Sequence, residues 1–378
     1  MNLTEEQILI RDSVRSYVEN CIKPKAAEWD KTSHFPQKEL KEMGELGLFG
    51  MLVPEDLGGS GTDYVSFALA IEEVAAGDGA CSTILSVNNS VVCGSLLKSG
   101  SDFLKQAYLR PLASGEKLGC FCLTESQAGS DASALTTSAV LDGEHYVLNG
   151  TKSFITSGKN AQVAIVFALT NPGAGKKGIS AFVVPTDNVG YQVGTVEEKM
   201  GQHASDTTQV FLKDCRIPKN HLLGGEGEGY RIALMNLESG RIGIAAQCVG
   251  MARAAYEVAL EYARERETFG KAIIDHQAVG FRLADMATQL EAAHLLVMQA
   301  ASIRDKNQPC LKQASMAKLF ASEAAEKICS NAIQILGGYG YLRDFPLERI
   351  YRDVRVSQIY EGTSDIQRIV IAREISKG

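Results

Sequence analysis

The fold is decided by residues 137–156, which read TSAVLDGEHYVLNGTKSFIT. Apolar and polar residues alternate along this stretch, and it contains the dipeptides Asp142-Gly143 and Asn149-Gly150. Such dipeptides are strong short-range signals for a β-hairpin turn. Later segments are rich in β-branched and aromatic residues and are bounded by Gly, Pro or Asp, which indicates further short strands. We therefore predict a small barrel or sandwich in the middle of the chain, with strands at 137–141, 145–148, 151–156, 163–169, 179–184 and 207–212.

On either side of this β region the pattern is helical. Near the N-terminus Thr4 and Gln7 have the spacing of a capping box, and an apolar stripe runs past them. The glycine-rich cluster 58–61 interrupts the pattern before a second helical stretch over 64–75. Beyond the glycine-rich run 224–229, apolar residues step by four and three, as in the seam of a packed antiparallel bundle. The stripe comprises Leu3, Ile10, Val14, Tyr17 and Cys21, and the seam comprises Leu283, Ala287, Leu290, His294, Val297 and Ala301.

The order of helices, strands and helices predicts an α+β multidomain protein. We predict an N-terminal helical domain over residues 1–117 and a central, barrel-like β domain over residues 118–224. A C-terminal helical bundle is predicted over residues 225–378. With 378 residues and 45% hydrophobic residues, the chain is long and apolar enough to bury a large core.

Charge and cysteine usage exclude several classes of function. The net charge is −7 and no dense Lys/Arg run occurs, so we expect no nucleic-acid partner. Nine cysteines are scattered without C-x-x-C or paired His spacing, which indicates reduced thiols and no metal site. Helical signals begin almost at Met1, so we expect no signal or transit peptide. We expect no uncharged apolar run of the length that a membrane span needs, and therefore a cytoplasmic protein, or a mitochondrial matrix protein if this is a processed eukaryotic chain.

Familiar catalytic motifs are missing from the sequence. Neither G-x-G-x-x-G nor G-x-x-x-x-G-K-[ST] occurs, so a Rossmann fold and a P-loop are not indicated. Glu291 and His294 have di-iron spacing, but that chemistry needs a second such pair, which the sequence lacks. His294 also falls on the apolar seam and is better interpreted as a core histidine. No histidine stands in a nucleophile-elbow context, so hydrolysis by a triad is not indicated.

Five segments could carry chemistry, and each also has a purely structural interpretation. Small and hydroxyl residues at 123–131 could approach a phosphate or a flat ring, or form a capped turn. The segment 154–158 offers an aromatic ring and a hydroxyl, or ordinary strand packing. Arg266 could grip a pyrophosphate or compensate a helix dipole. The glycines in 334–341 could face a ligand or form a mobile loop. In 359–368, IYEGTSDIQR, Ser364 and Gln367 have capping-box spacing, and Glu361 just before them is either a desolvated base or a solvated loop residue.

Together these segments resemble the acyl-CoA dehydrogenase family over essentially the whole chain, in the same order and spacing. The resemblance implies a helical N-terminal domain, a central β domain and a C-terminal four-helix bundle, with FAD bound between them. It also implies a homotetramer (a dimer of dimers), an acyl-CoA substrate and electron-transferring flavoprotein as the electron acceptor. The products are then a trans-2-enoyl-CoA and reduced FAD.

The family's functional residues carry over one by one. Glu361 is similar to the catalytic base, which removes the α-proton of the substrate. One branch of the family places its base just before the equivalent of Arg241, where this chain has Gly240, so Glu361 has no competitor. Phe154 departs from the Trp of many members, and Ser126-Gln127 departs from their Pro-Gly. The resemblance implies FAD contacts at Phe121, Leu123, Thr124, Gly129, Ser130, Phe154, Ile155, Thr156, Arg266, Phe269, Gln277, Gln334, Gly337, Gly338, Thr363 and Asp365, and substrate contacts at Ser130, Glu238, Arg241, Tyr360 and Gly362.

The segments 86–90 and 238–243 are most similar to the short-chain, butyryl-CoA branch of the family. A short branched-chain substrate remains open. So does an acyl-CoA oxidase or flavin monooxygenase on the same scaffold, with oxygen as the electron acceptor. A helical scaffold that has lost its flavin is the alternative outside enzymes.

Overall fold

The structure is a computed structural model that describes residues 3–377. Helices occupy the first part of the chain, a sheet the middle and long helices the last part, as the sequence predicts. The helices are α1 Glu5–Tyr17, α2 Ala26–Thr32, α3 Gln37–Glu45, α4 Tyr64–Gly77, α5 Gly79–Val87, α6 Gly94–Ser99, α7 Asp102–Leu104, α8 Arg110–Ala113, α9 Gly229–Glu265, α10 Gln277–Asp305, α11 Leu311–Leu336, α12 Leu347–Val354 and α13 Ser364–Ile375. The strands are β1 Gly119–Cys122, β2 Ser138–Asp142, β3 His145–Thr156, β4 Val163–Leu169, β5 Ile179–Pro185, β6 Tyr191–Val196, β7 Thr207–Pro218, β8 Leu222–Leu223, and the short pair β9 Glu267–Thr268 and β10 Lys271–Ala272.

Local capping signals explain where the N-terminal helices begin. The capping box predicted at Thr4 and Gln7 is confirmed, since each side chain bonds to the other's backbone N–H. Asp63 caps α4 through the backbone N–H of Ser66, at 2.6 Å. Gln7 also donates to the Asp63 carboxylate at 2.8 Å, so the starts of α1 and α4 are joined. These helices therefore begin where side-chain oxygens satisfy free N–H groups.

The main sheet has the order β6-β7-β3-β2-β4-β5-β8, with β1 added beside β4. The hairpin predicted at Asp142-Gly143 is confirmed, because β2 and β3 pair through Asp142 and His145. The second hairpin, predicted at Asn149-Gly150, is wrong. β3 continues through Gly150 because it pairs with β7 on both sides of that residue, with a register shift between Leu148 and Gly150.

A glycine is needed at position 150 for a different reason. A Cβ there would lie 2.7 Å from the Cα of Thr137, so the two backbones could not approach so closely. The Asn-Gly signal thus marks a bulge with a close backbone contact, not a turn.

The C-terminal helices form the scaffold behind the sheet. Helix α9 packs against α10 and α11 and, on another side, against α4 of the N-terminal part. His294 on α10 is hydrogen-bonded as predicted, since its Nδ1 lies 3.1 Å from the Glu72 carboxylate of α4, but it is half-buried at the edge of the helix packing and not in the core. Within residues 3–377 no group of three or more His, Cys, Asp or Glu could hold a metal ion.

One helical stretch corrects the prediction about apolar runs. Residues Gly79–Ser99 are long and apolar enough, by length and composition, to cross a membrane. However, 83% of this apolar window is buried inside the protein. The stretch packs against the sheet and α9, so burial in the core explains its apolar composition.

Candidate active site

A cavity of about 210 Å³ opens where the N-terminal helices, the sheet and the C-terminal helices meet. Its wall is mixed, with apolar side chains, hydroxyl groups, one arginine and one carboxylate. Many of the residues predicted for a site share this wall, namely Phe121, Leu123, Thr124, Gly129, Ser130, Phe154, Ile155, Thr156, Arg241, Tyr360, Glu361 and Gly362.

The sheet contributes one side of the cavity through β1, the turn after it and the end of β3. The Ser153 N–H donates to the Thr124 carbonyl at 2.9 Å, which ties the turn to β3. A register shift between Lys152 and Ile155 gives Phe154 a left-handed backbone, with φ 58°. The bulge turns the Phe154 ring outward onto the cavity, where 65% of the residue is exposed. An aromatic face is therefore presented at the opening.

A buried ion pair holds this turn in place. The Lys152 ammonium donates to the Glu125 carboxylate at 2.8 Å and to the Leu123 carbonyl at 3.2 Å. Glu125 also accepts from the backbone N–H groups of Thr136 and Thr137, at 2.7 and 3.0 Å. Burial opposes ionisation of Glu125, but the Lys152 charge and these hydrogen bonds outweigh it and lower the pKa of Glu125 to about 2. The ion pair and its hydrogen bonds thus hold the turn that lines the cavity in place.

Helix α9 contributes one face, on which every third or fourth residue reaches the cavity. Arg241 is only 6% exposed, and its Nε and Nη1 have no hydrogen-bond partner among residues 3–377. Burial lowers the pKa of Arg241, although the nearby Glu361 and Glu238 carboxylates oppose that shift. The cavity therefore has an unpaired cationic donor in its wall. The α9 residues on this face are Tyr230, Leu234, Leu237, Arg241 and Ile244.

The Glu361 turn, residues 359–363, closes the cavity just before α13. Glu361 has the left-handed φ of 51°, which is uncommon for a residue with a side chain. Two side chains hold the turn, because Gln367 Nε2 donates to the Gly362 carbonyl at 2.9 Å and Lys318 Nζ donates to the same oxygen at 2.8 Å. The Tyr360 hydroxyl is engaged as well, since it donates to the Gln247 side chain. The strained backbone is therefore held by its surroundings.

The carboxylate of Glu361 lies in the cavity without a partner. Its Oε2 is buried and accepts no hydrogen bond within the described residues, although the residue as a whole is half-buried. Burial raises the pKa of Glu361 to about 7, against the opposing charges of Lys318 and Arg241. A Cβ at Gly240 would lie 2.0 Å from Oε2, so the carboxylate fills the space that a side chain there would need. This carboxyl group has the pKa and the free oxygen of a proton acceptor.

The cap of the following helix differs from the prediction. Thr363, not Ser364, is the N-cap, because its hydroxyl accepts from the Ile366 N–H at 3.3 Å. The reason is conformational, since Thr363 has an extended backbone and Ser364 is already helical. Thr363 and Asp365 do not line the cavity, and the Asp365 side chain is 90% exposed.

Other predicted site residues lie away from the cavity. Glu238 bonds to Cys310, at 3.2 Å, and lies 3.5 Å from Arg304. The loop after α9 and the end of α11 meet on the surface, where the Tyr262 and Tyr339 rings are 6.4 Å apart. All of the remaining predicted residues are exposed on this surface: Arg266, Phe269, Gln277, Gln334, Gly337 and Gly338.

Sequence reasoning missed several residues of the wall. The α9 residues were detectable, because 230, 234, 237, 241 and 244 step by four and three. Val87, the last residue of α5, and Val91, in the π-helical turn Asn88–Cys93, also line the cavity, and no periodic pattern indicates the irregular geometry of that turn. Lys318 was missed because its contact with the Glu361 turn joins distant parts of the chain.

Comparisons with known proteins agree with this architecture. Family models match residues 4–116 as the acyl-CoA dehydrogenase N-terminal domain, 120–215 as the middle domain and 227–376 as the C-terminal domain. The chain is 48% identical to the short-chain specific acyl-CoA dehydrogenase, mitochondrial, of Homo sapiens, over 98% of this chain and 90% of that protein.

Solved structures agree as well. The structure of butyryl-CoA dehydrogenase from Megasphaera elsdenii matches with a TM-score of 0.98 and 39% identity, over 100% of this chain and 99% of that chain. A chain from the structure described as "Electron transferring flavoprotein of Acidaminococcus fermentans: Towards a mechanism of flavin-based electron bifurcation" matches with a TM-score of 0.99 and 44% identity, over 100% of both chains.

Proposed function

Because the chain belongs to the acyl-CoA dehydrogenase family, an oxidoreductase family that acts on acyl-CoA, we propose that it converts a short-chain acyl-CoA such as butyryl-CoA to the trans-2-enoyl-CoA. In this proposal Glu361 removes the α-proton. The observation that carries it is the buried Glu361 carboxyl group, which has an unpaired oxygen in the cavity and a pKa raised to about 7. A base with this pKa is half ionised at neutral pH and still basic enough to accept a proton.

The α-proton of a thioester is weakly acidic, so the negative charge that develops on the carbonyl oxygen needs a fixed hydrogen-bond donor. The backbone N–H of Glu361 suits this role, since it donates no hydrogen bond within residues 3–377. Gln367 and Lys318 hold Gly362, and Gln247 holds Tyr360, so the N–H group of the residue between them is pre-organised. Donor and base then come from the same residue, which places the proton acceptor close to the stabilised carbonyl.

The residues around the cavity fit a flavin. The hydroxyl groups of Thr124, Ser130 and Thr156 form no hydrogen bond within the described part of the chain, and a Cβ at Gly129 would meet nothing within 4 Å. Phe154 presents its ring beside them. When bound there, FAD supplies the acceptor for the β-hydrogen, which leaves as hydride. These residues, together with Phe121, Leu123 and Ile155, would hold its ring. Thr363 and Asp365, which lie outside the cavity wall, are proposed to contact the flavin beyond it.

We assign the second half of the cofactor to the exposed surface formed by the loop after α9 and the end of α11. This surface does not line the cavity around the Glu361 turn, and its residues are exposed: Arg266, Phe269, Gln277, Gln334, Gly337 and Gly338. An FAD held mainly by a neighbouring subunit explains this arrangement, because the pyrophosphate and adenine would reach across an interface. Phe269, at 97% exposed, would then be covered in the proposed homotetramer, a dimer of dimers.

Electron-transferring flavoprotein is the proposed acceptor of the electrons, and it is supported by the name of one matching structure. We propose a reducing compartment, the cytoplasm or a mitochondrial matrix. Free thiols at all nine cysteines support this location, since no disulfide joins any of them. Glu238, Arg241, Ser130, Tyr360 and Gly362 are proposed to contact the acyl-CoA.

The experiment is anaerobic titration of the purified flavoprotein with acyl-CoA thioesters of graded chain length and branching. We expect loss of flavin absorbance with butyryl-CoA, and formation of trans-2-enoyl-CoA in equal amount. Faster reduction by a short branched thioester would change the substrate assignment alone. A protein that takes up no FAD, or whose flavin is reduced by no acyl-CoA, would contradict the proposed function.

A further inference from the structure

Lys318 on α11 is fully buried, with 0% of the residue exposed. Its ammonium has one hydrogen-bond acceptor among residues 3–377, the Gly362 carbonyl at 2.8 Å. Burial lowers the pKa of Lys318 to about 8, so the charged form is costly at this place. No part of the proposed proton transfer uses this side chain, and helix packing alone would be served better by an apolar residue.

The ionisable side chains around Lys318 differ in their charge and in whether another side chain already neutralises them. From α9, the Arg241 guanidinium repels it, and the Cys248 thiol is neutral because burial raises its pKa to about 11. On the same helix as Lys318, the Glu323 carboxylate attracts the ammonium weakly, but this carboxylate is already paired with the exposed Arg368 at 2.6 Å. Glu361 is the remaining carboxylate that attracts Lys318, and its Oε2 has no hydrogen bond. Glu361 is therefore the one unpaired carboxylate of the cavity wall, and the Lys318 ammonium bonds to the residue that follows it, Gly362.

We infer that Lys318 is a positioning residue for Glu361: it holds the Glu361 turn through the Gly362 carbonyl, and its positive charge keeps the carboxylate ionised near neutral pH. This inference rests on the proposed function, in which Glu361 is the base.

Two features separate the role of the charge from that of the hydrogen bond. Gln367 donates to the same Gly362 oxygen at 2.9 Å, so the turn keeps one of its two donors when Lys318 is replaced. The charge has no such substitute, because Lys318 lowers the pKa of Glu361 more than Arg241 does. One opposite charge at close range typically lowers a carboxyl pKa by about 1–3 units. Loss of the charge should thus change the pH dependence more than the fold.

The test compares Lys318→Met with Lys327→Met, which removes an exposed lysine from the same helix. In each holoenzyme, kcat/KM for flavin reduction by butyryl-CoA is measured from pH 5 to pH 10. We expect Lys318→Met to shift the rising limb of this pH profile to higher pH by about one unit or more. The variant should then be about tenfold slower than the parent at pH 6 and within about twofold of it at pH 9. Lys327→Met should overlay the parent profile. A Lys318→Met profile lowered equally at every pH, with its limb in place, would show a merely structural role and overturn the inference.

Two further variants decide the matter if Lys318→Met does not fold, as judged by thermal unfolding and bound flavin. Lys318→Gln is neutral but keeps an amide donor, and its limb should move upward as well; an unmoved limb contradicts the inference. Lys318→Arg keeps the charge, so its limb should stay at or below the parent position, and an upward shift contradicts the inference. A failure of the proposed function looks different, since the parent enzyme itself would then show no flavin reduction at any pH.

Discussion

Glu361→Gln replaces the proposed base with an amide of nearly the same shape. The cavity, the Glu361 turn and the flavin contacts are preserved, so we expect unchanged flavin content. General-base catalysis contributes about 10²–10⁴-fold, and no second carboxylate stands at position 240 to replace it. We therefore expect flavin reduction by butyryl-CoA to slow by about 10³-fold or more.

The same substitution should change how stability depends on pH. The pKa of Glu361 is raised from 4.5 to about 7 in the folded protein, so the folded state holds the proton more tightly than the unfolded chain. The resulting stabilisation is fully present below pH 4.5 and is lost as the pH rises to about 7. Over that window the parent loses about 3 kcal/mol that Glu361→Gln does not lose.

The assay combines anaerobic stopped-flow measurement of flavin reduction with denaturant unfolding at pH 5 and pH 8. Glu261→Gln, an exposed glutamate on α9, is the matched control and should change neither quantity. Reduction by Glu361→Gln within about tenfold of the parent rate would refute the role of the base. Equal pH dependence of stability in the two proteins would refute the buried, ionisable carboxyl group.

Three other predictions concern the cofactor, the space beside the base and the electron acceptor. Arg266→Ala should weaken FAD retention on gel filtration, whereas Arg264→Ala, on the same exposed helix end, should not; equal flavin content in both would reject the pyrophosphate assignment. Gly240→Ala places a Cβ 2.0 Å from Oε2 of Glu361 and should displace the carboxylate, which should slow flavin reduction by about tenfold or more. The control Gly280→Ala adds a Cβ with no contact closer than 3.5 Å and should leave the rate unchanged. Reduced enzyme mixed with air should reoxidise slowly, and rapid reoxidation with peroxide release would favour the oxidase.

Local signals predicted much of the fold because they act over a few residues. The capping box at Thr4 and the turn at Asp142-Gly143 need only their own neighbours, and both occur as predicted. The Asn149-Gly150 signal failed because pairing with β7, far along the chain, keeps the strand extended. The cap of α13 shifted by one residue, since either Thr363 or Ser364 could supply the hydroxyl.

The sequence predicted part of the cavity wall but none of its electrostatics. The sequence IYEGT predicts Glu361 as a candidate base, yet the burial of its carboxyl group depends on α9 and α11, which pack around the turn. The Lys318 contact and the buried pair of Glu125 and Lys152 join segments that lie far apart along the chain. Such long-range pairs have no periodicity, so no spacing rule reveals them.

The most direct test of the account is exchange of the α-hydrogens of acetyl-CoA in D₂O, catalysed by the holoenzyme. Acetyl-CoA can lose an α-proton but has no β-hydrogen to transfer, so exchange reports the proton transfer alone. We predict that the parent enzyme incorporates deuterium at C2, with a rate that rises through about pH 7, and that Glu361→Gln incorporates none above the uncatalysed rate. Exchange at a similar rate in both proteins would place the base elsewhere and contradict the account.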